Sequence, residues 1–407
     1  MSMYLSAATP HWHPATEADL QTAVDAGLLV ESHYFEMKRE IGSTKGANRE
    51  LARDLAQFAI DGGLLIVGVD EHRNDPSAYP TLYPVALDGL PERVDAIART
   101  IVDAPLAVEC TTIPSANDSS AGYLLIRVPV SGTAPHMVDG VYYGRGDTAK
   151  RRLSDAEVRA LHQSRTVAES AADDLLEAYV QRDPVTENRH QAHYFVVAAP
   201  AFPRTGMLLD AVSGPQWHEL FTELVKPGRA IDDTMFAPTL SRADEYFRRH
   251  GGVALTSWLT HDRRTMGYGG SAEDAFELEL TEEGAVRMMT TRLSSQLGLD
   301  HPQQIITEVL PVLTRQTLAI AAGIAGHTGY QGPWLLACAA TGIAGMPTTA
   351  GRLGIGYPIP RDLDEYRETT RASSAELTQM PGLITDRLIG RLLRTAGLER
   401  SFADYLS

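Results

Sequence analysis

Cysteine is nearly absent from this chain: Cys110 and Cys338 are its two thiols, far apart in sequence. That excludes a disulfide framework and a cysteine-rich zinc site, and it suits a reducing cytoplasm. Long apolar runs are missing too. None reaches the roughly 18 residues of a membrane span, and the most apolar stretch, "GPWLLACAATGIAGMP", is broken by glycines and reads as buried core. The N-terminus "MSMYLSAATPHWHP" lacks the basic start and apolar stretch of a signal peptide. The expectation is a cytoplasmic protein that uses no membrane. Positive charge is also short, with a net charge of −16. Residues 1–165 hold 22 acidic and 15 basic residues, and the remainder 30 and 21, so neither part binds nucleic acid through bulk basicity. Any such site must be a local basic patch. Finally, no G-x-x-x-x-G-K-[ST], G-x-S-x-G, H-E-x-x-H or strand-led G-x-G-x-x-G occurs. The common nucleotide-binding, hydrolase and zinc-protease readings therefore lack support.

What is present is a chain of 407 residues, 43% apolar and 22% charged, long enough for two cores. The first part alternates element types. "TEADLQTAVDAG" reads as a helix entered at Thr16, "SHYFEMK" as a short strand, and "NRELARDLAQFAI" as an amphipathic helix with Leu51, Leu55 and Phe58 on one face. "GGLLIVGVD" is the best candidate for a buried strand; "PERVDAIARTIV" is helical, and "LAVECTTI" and "GYLLIRVPV" are strand-like. Ser154 opens a further helix with the capping box Ser154-Asp155-Ala156-Glu157. This predicts an α+β protein: a mixed-sheet domain over 1–165, a helical linker over 166–189, and a second α+β domain over 190–407. In that second domain a long helical region is expected from about 302, kinked or split at Pro311.

Two groups of residues could carry chemistry. In "ESHYFEMKRE" (31–40), strand alternation sends Phe35 and Met37 one way and Glu36 and Lys38 the other. Glu31 has the wrong parity to join Glu36, so it must enter from a turn or bulge before the strand. Asp70 closes the apolar strand "LLIVGVD". Were the two strands neighbours, Glu31, Glu36 and Asp70 could form a three-carboxylate cluster beside Lys38. Such oxygen ligands suit Mg²⁺ or Mn²⁺, which activate water for phosphodiester cleavage, while a lysine orients the phosphate. On spacing alone, a solvated strand face is the simpler reading. The second group is "YYGRGDTAKRR", with Tyr143, Arg145, Lys150, Arg151 and Arg152, followed by Arg159 on the next helix; Arg49 and Arg53 could share its rim. Glycines 144 and 146 would let backbone amides approach a phosphate, and a tyrosine could stack on an unpaired base. A hairpin turn with a solvated charge run is the bland alternative.

Taken in order, "ESHYFEMK", "ELARDLAQFAIDGGLLIVGVDE" and "LLIRVPVSGTAPHMVDGVYYGRGDTAKRRLSDAEVRAL" resemble the Schlafen-type AlbA-like domain over about residues 16–165. The resemblance implies nucleic-acid binding and, as in Schlafen proteins, metal-dependent endoribonuclease activity on structured RNA such as tRNA. It places the metal-binding carboxylates at Glu31, Glu36 and Asp70, with Lys38 matching as well. Vertebrate members carry two lobes and a zinc site; this chain has one lobe, which implies a homodimer. It also departs from the family pattern at Ile60, Gly144, Gly146 and Asp147. The leading expectation is a tRNA-directed endonuclease using Mg²⁺ or Mn²⁺ in a bacterial stress or phage-defence setting. One alternative is a non-catalytic DNA- or RNA-binding regulator. A second is a nucleotide-responsive interaction protein whose activity lies in the C-terminal domain.

Overall fold

The computed structural model describes the chain apart from residues 1, 2, 4, 6–8, 10, 11, 73–78, 147–149, 186–188, 232–236, 265–273, 297–301, 331, 350–356 and 407, and the side chains of 164–170. Asp147 and His11 lie outside the described residues. The protein is α+β, with a mixed sheet in its N-terminal part and a large antiparallel sheet later on. Its contacts divide into two units. One is Met1–Val167 with Gly326–Gly332, the other Ala168–Ala325 with Pro333–Ser407. The division falls inside α4 (Asp155–Val180), a helix of 26 residues, and again near the end of the helix Val309–Thr328.

The elements of the first unit that precede α4 are α1 (Glu17–Asp25), β1 (Phe35–Lys38), α2 (Lys45–Phe58), β2 (Gly63–Val67), β3 (Val69–Asp70), β4 (Thr81–Leu82), β5 (Val85–Ala86), α3 (Leu90–Thr100), β6 (Glu109–Pro114), β7 (Ala121–Val128), β8 (Met137–Val138), β9 (Val141–Arg145) and β10 (Lys150–Arg152). β1 and β2 are parallel neighbours, Phe35 facing Leu64 and Lys38 facing Val67. β2 then pairs antiparallel with β7, which also holds β5 and β6. Strand alternation sorts the side chains into two cores. Phe35, Met37, Leu64 and Ile66 pack with Leu20 and Val24 of α1. Leu65, Val67, Leu124 and Ile126 pack with Leu51, Leu55 and Phe58 of α2 and with Ile97 of α3. Gly63 belongs to this second contact: a Cβ there would come within 2.1 Å of the Phe58 ring. A separate antiparallel sheet, β10-β9-β8, lies beside α2.

The second unit is built on the antiparallel order β12-β13-β14-β15-β11-β18-β19. Its strands are β11 (His193–Pro200), β12 (Glu245–Arg249), β13 (Gly252–Ser257), β14 (Phe276–Thr281), β15 (Val286–Thr290), β16 (Ser294–Gln296), β17 (Gln303–Ile305), β18 (Pro333–Thr341) and β19 (Glu365–Ser373). Its helices include the short α5 (Leu209–Ser213), the longer α6 (Trp217–Arg229) and most of α7 (Val309–Thr328). One expectation needs correcting here. Residues 303–305 form a strand and α7 begins only at Val309, so Pro311 lies in the first turn. There its missing N–H would have had no helical partner, and the helix runs unsplit to Thr328. By length and composition α7 could cross a bilayer, but 72% of its apolar window is buried inside the protein.

Candidate functional site

β1 is an edge strand, yet its Glu36 and Lys38 do not face water. They point toward α2, because Phe35 and Met37 occupy the opposite core. Lys38 Nζ lies 3.0 Å from Glu36 Oε1 and 2.9 Å from Asp54 Oδ2. Lys150 of β10 reaches Asp54 Oδ1 at 2.8 Å and Glu50 Oε1 at 3.2 Å. Arg145 of β9 donates to Glu36 Oε2, to the Ser32 carbonyl at 2.8 Å and to the Phe35 carbonyl at 3.1 Å, and its guanidinium lies over the Phe58 ring. Gln57 donates to Glu36 Oε2 at 3.4 Å. Three carboxylates thus meet three cations in a network that is buried at Glu36, Asp54 and Arg145 and opens to solvent at Glu50 and Lys150. Burial pushes the Glu36 carboxyl upward, but Lys38 and Arg145 outweigh it and hold it below the ordinary range. Asp54 is raised by its burial and by Glu36.

The other two candidate carboxylates have separate work. Glu31 stands before the strand at the tight 32–35 turn, where Ser32 and Phe35 exchange backbone hydrogen bonds. From there its Oε1 accepts the Met37 N–H at 3.1 Å, satisfying a donor on an edge strand. Burial, with Glu71 and Glu36 adding to it, raises the Glu31 carboxyl against that hydrogen bond. Asp70 accepts from the His72 N–H at 3.1 Å and from Arg39 at 3.2 Å, as a turn-closing aspartate does. Among the described residues no group of three or more His, Cys, Asp or Glu is arranged to hold a metal. The donor set also does not fit a Mg²⁺ or Mn²⁺ centre of Glu31, Glu36 and Asp70, because Lys38 and Arg145 already neutralise Glu36 where a divalent ion would have to bind.

The basic group is divided in the same way. Arg145 is buried in the network, and Tyr143, with 8% exposure, packs into the α2 core, so neither forms an open base platform. Gly144 answers to packing, since a Cβ there would come within 2.5 Å of Leu153. Arg49 and Arg53 both pair with Asp139, at 3.4 and 3.3 Å. What remains outward is β10, whose residues are exposed although Lys150 turns its Nζ to Asp54 and Glu50; it runs antiparallel to β9, with Arg151 facing Gly144 and Arg152 facing Tyr143. Arg151 pairs with Glu157 at 2.6 Å across exposed surface.

A cleft of about 610 Å³ opens beside the network, between the end of β1, the start of α2 and the Asp70-His72 turn. Its loop is latched from α3 by Arg93, which donates to the Gly42 carbonyl and, at 2.6 Å, to Asn48. Sequence reasoning missed Asp54, Gln57 and Arg93. Asp54 had a readable signal, for it sits in the apolar 51-55-58 stripe of α2 where a charge demands a partner. Nothing in the sequence announced Arg93.

No protein-family model matches the chain. None of the curated proteins matches it either. Among solved structures, that of the DIP2311 protein from Corynebacterium diphtheriae is similar, at 14% identity and a TM-score of 0.25 over 75% of this chain. The match covers 52% of the other chain, so this protein spans about half its length.

Proposed function

We propose that the first unit is a non-catalytic nucleic-acid-binding module that engages phosphates along the β10 edge. The observation that carries this reading is the exposed Lys150-Arg151-Arg152 strand on an otherwise acidic protein. A two-stranded antiparallel ribbon can enter a groove or lie along a strand, presenting arginines to phosphate oxygens. The surface pair of Arg151 with Glu157 is the kind a phosphate can displace at small cost. The Glu36 network supports the non-catalytic half of the reading, because it acts as the scaffold that anchors β9 and β10 to α2.

The test is fluorescence anisotropy with labelled tRNA and duplex DNA, beside cleavage assays in Mn²⁺, Mg²⁺ and EDTA. Binding should be insensitive to EDTA and weakened about tenfold or more in an Arg151→Gln/Arg152→Gln protein, and tRNA should stay intact. Metal-dependent cleavage that disappears in Glu36→Gln and Asp70→Asn proteins would reinstate the endonuclease. Unchanged affinity in the double variant would remove β10 as the interface.

A further inference from the structure

The second unit gathers four arginines around two buried glutamates at one place on its sheet. Glu277 and Glu279, two apart on β14, point to one face and are 0% and 1% exposed. Arg249 grips Glu277 Oε1 through Nε at 3.1 Å and Nη2 at 2.9 Å, and Arg263 Nη1 lies 2.7 Å from Oε2. Arg182 and Arg287 approach the two oxygens of Glu279 at 3.1 and 3.4 Å. Among the described residues, four guanidinium groups therefore meet two carboxylates. Asp183 nearby does not correct the balance, since it is engaged by His193 at 2.7 Å and Arg189 at 3.8 Å. Several buried polar atoms in the cluster have no hydrogen-bond partner among the described residues: Arg263 Nε, Arg287 Nε, Thr256 Oγ1 and Tyr179 Oη, and also Glu277 Oε2, whose contact with Arg263 Nη1 is an ion pair rather than a hydrogen bond. Uncompensated buried charge is strongly unfavourable, and so are buried donors without acceptors.

We infer that this cluster is a binding site for a small phosphate-bearing anion, held by Arg182, Arg249, Arg263 and Arg287. A phosphate dianion matches the excess of two charges, and its oxygens suit the flat donor fork of arginine. The way in is on the side of Arg182 and Arg287, whose side chains are 37% and 21% exposed, against 5% for Arg249. Arg263 arrives on a turn where it holds φ at +63°, a left-handed conformation that a residue with a side chain rarely adopts. Arg249 ties the same turn by donating to the His261 carbonyl at 2.6 Å. The two glutamates fix the guanidinium planes without neutralising all of them.

The full chain is titrated by calorimetry with inorganic phosphate and with adenosine monophosphate, at ionic strength held constant with chloride. Saturable binding of either one supports the site, and the tighter of the two says whether a free phosphate or a phosphate ester is the occupant. Arg263→Gln should weaken binding about tenfold or more. Should that protein fail to fold, Arg182→Gln, on the exposed side, carries the same expectation. Glu279→Gln raises the charge excess and should tighten binding, whereas a purely structural ion-pair cluster would lose stability and bind nothing. Heats no larger than those of chloride, an affinity unchanged in Arg182→Gln, or weaker binding in Glu279→Gln would each overturn the inference.

Discussion

At the scale of residues, the network around Glu36 shows how burial changes what a charged side chain is for. Lys38 holds two carboxylates at once, and burial alone would lower its pKa; Asp54 and Glu36 reverse that and raise it. Removing Lys38 leaves Glu36 and Asp54 facing each other in a largely dry pocket. Lys38→Met should therefore cost about 3–5 kcal/mol of stability, the usual penalty for breaking a buried pair from one side. Urea denaturation measures it, and adding Asp54→Leu should recover part of the loss. A cost under about 1 kcal/mol, the range of exposed pairs, would mean that the network is solvated.

At the scale of elements, α4 shows a capping box of the kind its sequence spells out. Ser154 accepts from the Glu157 N–H at 3.3 Å, and Glu157 accepts in return from the Ser154 N–H at 2.8 Å. Arg151 adds a third partner, and together Arg151 and Ser154 bring the Glu157 carboxyl down to about 2 from the ordinary 4.5. A depressed carboxyl stabilises the fold above its unfolded value and loses that contribution as the pH falls toward the folded one. The start of α4 should thus hold at pH 5 and fray between about 4.5 and 2. Carboxyl NMR titration reads this directly. Arg151→Gln should move the midpoint back toward 4.5, and a native midpoint already at 4.5 would dispose of the three-partner cap.

At the scale of the whole molecule, charge decides how nucleic acid could be held. A net charge of −16 opposes long-range attraction to phosphates. Lys150 is committed to Glu50 and Asp54, so the cations of β10 left to neutralise phosphates are Arg152 and Arg151, the latter by exchanging its surface pair with Glu157. Two phosphate contacts imply a slope of log affinity against log salt of about −1.4 to −1.8. A measured slope several times steeper would show that cations elsewhere on the protein form the interface.

The sequence by itself determined the α+β class, the positions of β1, β2, β6 and β7, and the two-sided division of β1. These follow from local alternation and helical periodicity, which act over a few residues. It also carried the demand that Glu31 enter from outside the strand. Tertiary structure decided what those carboxylates do. Asp54, Lys150 and Arg145 come from 16 or more positions beyond Lys38, and only the packing of α2 and β9 onto β1 brings them within 3 Å of their partners. Spacing within "ESHYFEMKRE" cannot encode that meeting, because the pairing charges belong to other elements. The strand that invited a metal-ion reading is covered, and its glutamate and lysine pin the sheet to the helix above it.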